Sequence, residues 1–105
     1  MVDISKFRWG SEMVWADTKL YSARTYVINE GEQTSYVYHK KRDKTIFILN
    51  GTAQLIIEGK SKILVAGETF HIQPKIMHRI VAIKQELTML EVGTQLEDDI
   101  VIVEE

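Results

Sequence analysis

Short blocks of alternating apolar and polar residues, cut every few positions by turn formers, run through most of this chain. No other feature limits its fold so strongly. The blocks span 24–29, 35–39, 45–49, 53–57, 62–65, 69–72, 79–83, 87–92 and 100–103. Asn29-Glu30-Gly31, Asn50-Gly51, Glu58-Gly59, Ala66-Gly67 and Gln73-Pro74 separate them. A period of two suits strands with one buried face. Val, Ile and Thr supply 30 residues against 12 Ala and Leu, which also favours strand over helix. The expectation is an all-β fold of nine short strands, at the turn spacing of a sandwich or barrel.

A chain of 105 residues holds one such domain. Residues 1–22 contain Phe7, Trp9, Met13 and Trp15 but show neither clean alternation nor helical period. They read as an N-terminal arm packed on the barrel or on a dimer partner, with residues 23–105 forming the barrel. The absence of cysteine excludes disulfides, thiolate metal sites and thiol nucleophiles. No apolar run is long enough for a membrane span, and the first residues do not form a signal peptide, so no membrane partner and a cytoplasmic location are expected.

Basic and acidic residues nearly balance, 13 to 15, and five of the acids are Glu97, Asp98, Asp99, Glu104 and Glu105. The densest positive cluster is Lys40, Lys41, Arg42 and Lys44. It lacks interleaved aromatics, so it reads as a solvated loop and not as a nucleic-acid surface. His71 alternates with Thr69 and Gln73, which places it on the outer side of its strand.

His39 and His78 sit in two spaced segments, Gly31-x5-Val37-x-His39-x4-Lys44-x6-Gly51 and Gly67-x5-Gln73-x-Lys75-x2-His78. These resemble the two motifs of the cupin family. Trp9-Gly10-Ser11-Glu12, Ser35-Tyr36-Val37-Tyr38-His39 and His78-Arg79 extend the resemblance to the single-domain mannose-6-phosphate isomerase-like cupins. The C-terminal domain of mannose-1-phosphate guanylyltransferases is similar. The resemblance implies a jelly-roll, double-stranded β-helix barrel and a homodimer.

It also implies a divalent metal, Zn, Mn, Fe or Ni, held inside the barrel by a Gln or His, a His, a Glu and a second-motif His. His39 and His78 match two of these ligands, but Val37 stands in place of the first and Lys44 in place of the Glu. Two imidazoles without a carboxylate supply too few donors, and an ammonium repels a divalent cation. A missing donor could come from Glu12 in the arm, or from Asp43 if a register shift turned it inward.

The implied function is therefore binding of a small sugar or sugar phosphate in the barrel, with a degenerate metal site and either no cofactor or a weakly bound divalent ion. The alternative is an active metal-dependent sugar-phosphate isomerase. In either case His39, His78 and Lys44 are the candidate catalytic residues, and Lys44 and Arg79 the candidate ligand-binding residues. Lys44 has two possible placements. It either points inward as a replacement for the ion or extends its head out of the barrel mouth.

Overall fold

The computed structural model describes residues 2–96 and 98–105; Glu97, one of the five clustered acids, lies outside the described residues. The strands are β1 (Asp3–Phe7), β2 (Gly10–Asp17), β3 (Ser22–Ile28), β4 (Tyr36–His39), β5 (Lys44–Ile57), β6 (Lys60–Val65), β7 (Thr69–Ile72), β8 (His78–Gly93) and β9 (Ile100–Glu104). They form one curled antiparallel sheet in the order β1-β2-β3-β8-β4-β9, with β5 pairing β8, β6 and β7.

Two pairs of the expected blocks are single long strands. Blocks 45–49 and 53–57 are the two halves of β5, and blocks 79–83 and 87–92 those of β8. The Asn50-Gly51 signal marks a bend instead of a chain reversal. There the β5–β8 register shifts on either side of Asn50, so the paired strands stay bonded while they change direction. Gly51 makes the bend possible. Its φ is +99°, and a Cβ would lie 2.6 Å from the Glu86 carbonyl oxygen.

The bend folds the sheet over itself, and the inward side chains of both halves meet. Ile28, Ile46, Ile48, Ala53, Leu55, Leu64, Ile72, Leu87 and Met89 are almost wholly buried there. Each large aliphatic side chain among them contributes roughly 1.5–3 kcal/mol of transfer free energy before ordering costs. The all-β expectation and the inward-facing alternation of the core strands are thus met.

The N-terminal stretch differs from its expectation. Residues 3–17 are a β-hairpin, and β2 pairs β3 from Gly10↔Ile28 to Asp17↔Ser22. They extend the sheet and are not a separate arm, and the expected boundary at 22/23 falls inside β3. Alternation failed there because a bulge between Val14 and Ala16 interrupts the period.

Candidate functional site

At the open end of the curled sheet lies a cavity of about 350 Å³, lined by His39, Lys44, His78 and Glu91 and walled by Tyr26, Ile80 and Met89. Strand pairing sets these side chains facing one another. Arg24 on β3 is in register with Glu91 on β8, and Glu91 is in register with Ile46 on β5, so all three share the inward face. Lys44 lies two residues before Ile46 on that face, opposite Gly93. A Cβ on Gly93 would meet the Lys44 Cβ at 3.0 Å and the Arg42 Nε at 3.3 Å, so the glycine leaves room for both chains to converge.

Glu91 is the centre of the charged cluster. Its Oε1 lies 3.0 Å from Lys44 Nζ, and its Oε2 lies 2.8 Å from Arg42 Nη2 and 3.0 Å from Arg24 Nε. The Oε2 contacts are charge contacts off the hydrogen-bond axis; Arg42 Nη2 donates instead to Ser22 Oγ at 2.9 Å. Burial alone would raise the Glu91 pKa. Lys44, Arg24 and Arg42 outweigh it and hold the carboxyl far below its usual range. Arg24 also pairs with Glu12. Arg24, Arg42 and Lys44 thus share Glu91, and of these cations Arg24 and Lys44 line the cavity with the carboxylates of Glu12, Glu91 and Glu105.

His39 and His78 are buried with ring centroids 6.2 Å apart and planes inclined by 28°. The expectation that the two rings share one cavity is met in this geometry. Burial, then the Lys44 charge, disfavours the protonated form of each ring. His39 is held below its ordinary pKa, and His78 falls to about 3. Both rings are neutral at neutral pH.

The other candidates are placed as follows. Lys44 is buried on the cavity wall and does not extend from the mouth. Arg42 is buried as well, so only Lys40 and Lys41 of the positive cluster are exposed. Arg79 is not in the cavity. Its guanidinium donates to the Thr34 carbonyl at 2.8 Å, to Glu104 Oε1 at 3.0 Å and to the Glu105 carbonyl at 2.8 Å, where it anchors β9. The sequence pairs Arg79 with His78, but adjacent strand residues face opposite sides. Asp43 faces outward for the same reason and meets the exposed His71 at 2.7 Å. Glu12 reaches the cavity, but its carboxylate is taken by Arg24.

Glu91 and Asp99 were missed in the sequence. The signal for Glu91 was present: Leu87, Met89 and Glu91 occupy one face of an alternating block, and a carboxylate on an apolar face needs a buried partner. Asp99 carried no such signal. It belongs to the acidic run, yet it accepts the backbone N–H groups of Lys41 at 2.8 Å and Arg42 at 2.9 Å and meets His39 Nδ1 at 3.1 Å.

The side chains present do not suit a divalent ion. Val37 offers no donor, Lys44 brings a positive charge, and the Glu91 oxygens are engaged by cations. Among the described residues no group of three or more His, Cys, Asp or Glu is arranged to hold a metal.

A bent antiparallel sheet with this cavity is the double-stranded β-helix of cupins. It superposes on KdgF from a Halomonas species with a TM-score of 0.81 at 19% identity, over 91% of this chain and 88% of that one. An RmlC-like cupin from Shewanella frigidimarina gives a TM-score of 0.80 at 16% identity, over 92% and 86%. A cupin-superfamily sugar phosphate isomerase from Silicibacter pomeroyi gives 0.70 at 16%, over 81% and 60%. No curated protein matches the chain. Residues 3–105 match the family of mannose-6-phosphate isomerase C-terminal domains, and the chain belongs to that family. No helix among the described residues is long and apolar enough to cross a membrane.

Removing the carboxylate from the cluster should be far more damaging than removing one cation. Glu91→Gln leaves Arg42 and Lys44 buried without a carboxylate and Arg24 with Glu12 alone, and is expected to cost about 3–5 kcal/mol. Lys44→Met leaves Glu91 with two arginines and should cost much less. Urea unfolding of both variants measures the difference, and equal losses would contradict the central role of Glu91.

Acid should weaken the fold earlier than carboxylate titration alone would. The unfolded His78 ring takes up a proton near 6.5 and the folded ring only near 3, so protons favour the unfolded chain over that interval. His39, shifted in the same direction, adds to the effect. Stability should therefore fall as pH drops from about 6.5 towards 3, and His78→Gln should flatten that slope. A slope unchanged in the variant would contradict a neutral buried ring.

Proposed function

We propose that the protein is a cupin binding module for a small sugar or sugar phosphate, in which the ammonium of Lys44 takes the place of a divalent ion. The observation that carries this reading is the Lys44–Glu91 contact of 3.0 Å on the wall of the cavity that holds both histidines. The Lys44 ammonium on the wall favours a ligand rich in oxygen acceptors. Trp9, stacked on Phe7 at 4.8 Å and tilted against Tyr26 at 5.9 Å, gives the mouth an aromatic wall. A largely apolar pocket with a few convergent polar groups suits a small ligand of this kind. Membership of the mannose-6-phosphate isomerase family supports the ligand class.

A second reading, a sugar-phosphate isomerase, is favoured by the two neutral rings, which are able to move a proton while Lys44 stabilises an enediolate oxygen. Titration of the chelator-treated protein with mannose 6-phosphate, followed by NMR, tests both. The binding module predicts saturable shifts without added metal, at least tenfold weaker in Lys44→Met, and no fructose 6-phosphate. Binding that requires a divalent ion would overturn the proposal, and metal-free conversion would establish the second reading in its place.

The homodimer is proposed on the outer face of the same sheet. The register row Ile4, Met13, Thr25, Leu90 and Phe47, flanked by the half-exposed Trp15 and Val92, carries no charge. An uncharged apolar face is complementary to itself about a twofold axis, so a second copy fits it. Sedimentation equilibrium should give a dimer mass that Phe47→Glu reduces to the monomer's. A monomeric wild type at tens of micromolar would contradict this.

A further inference from the structure

The hydrogen positions on both cavity histidines follow from what each ring touches. His78 Nδ1 lies 2.9 Å from the carbonyl oxygen of Ile76, which can only accept, so Nδ1 carries the hydrogen. His39 Nδ1 lies 3.1 Å from Oδ1 of Asp99, while Oδ2 of that carboxylate receives the N–H groups of Lys41 and Arg42. This acceptor also fixes the hydrogen on Nδ1. In its neutral form each ring with the hydrogen on Nδ1 presents Nε2 as a bare lone pair. The hydrogen bonds of both rings run from Nδ1, and both rings line the cavity.

The floor thus offers an unusual set of groups: two acceptors from the imidazoles and donors from the Lys44 ammonium. A phosphate or carboxylate oxygen set against the rings would meet two lone pairs. A hydroxyl does better, since it donates to a ring and its oxygen can still accept from Lys44. One hydroxyl has one proton, so two rings require two hydroxyls. With ring centroids 6.2 Å apart in one cavity, a ligand whose two hydroxyls lie close together can present one to each ring.

We infer that the floor of the cavity is a diol site, where two adjacent hydroxyls of the ligand donate to Nε2 of His39 and His78 while Lys44 donates to one of their oxygens. Any phosphate on the ligand then lies away from the rings. The inference rests on the reading that this cavity binds a carbohydrate-like molecule, and it assigns which part of that molecule the histidines read. A site with this polarity rejects ligands that present only acceptors, however strongly charged they are.

Three probes separate the possibilities: mannose 6-phosphate, glycerol 3-phosphate with a single vicinal diol, and 3-hydroxypropyl phosphate with the same charge and one hydroxyl. Histidine ¹⁵N–¹H correlation spectra of the wild-type protein should show Nε2 of both rings unprotonated before addition. The Nε2 signals should move with the first two probes, and 3-hydroxypropyl phosphate should bind at least tenfold more weakly than glycerol 3-phosphate. Equal affinity for those two, or a protonated Nε2 in the free protein, would overturn the diol site. Mannose 6-phosphate binding with both Nε2 signals unmoved would overturn it while leaving the carbohydrate reading intact. No binding of any probe would overturn both.

Discussion

The carboxylate of Glu91 meets three cations that the strand register brings to one point on the inner face of the sheet. Arg24 and Arg42 cannot give up their protons, so their burial requires a fixed negative charge. Glu91 supplies it, and its second oxygen holds the ammonium of Lys44 against the cavity wall. Burial, reinforced by Lys44 in that position, disfavours the protonated form of both imidazoles. The acceptor and donor set proposed for the cavity therefore depends on burial of the rings together with this ion cluster.

Much of the fold could be read from the chain because alternation is a direct record of which face is buried. Blocks such as Thr45–Leu49 and Leu87–Val92 place Ile46, Ile48, Leu87 and Met89 inside, and they are inside. Strand continuity was less legible. Asn50-Gly51 is a strong hairpin signal, but here the glycine serves a bend in a fourteen-residue strand. Local sequence does not distinguish these uses, since both need a positive φ. The N-terminal hairpin escaped because its bulge at Trp15 broke the period and its residues are exposed or only partly buried.

The site was legible in part for a different reason. His39, His78 and Lys44 stand at motif spacings, and the structure gathers them in one cavity. Glu91 is remote from both motifs and reaches the site only through pairing of β8 with β3 and β5. Asp99 arrives through β9, which pairs β4 and sets the carboxylate beside His39. Arg79 was misplaced by its proximity to His78 in the chain, although alternation sends it to the opposite face, where it fastens the C-terminal strand. Chain neighbours suggest a site, but register decides its members.

The family model matches nearly the whole chain, and the proposal that Lys44 takes the place of a divalent ion rests on the inner charge cluster. Crystals grown with excess Mn²⁺ or Zn²⁺ and measured on both sides of the metal absorption edge test that claim most directly. The account predicts no anomalous peak between His39 and His78, with the Lys44 amine still beside Glu91. An ion bound by both rings, with the lysine displaced from the carboxylate, would contradict it.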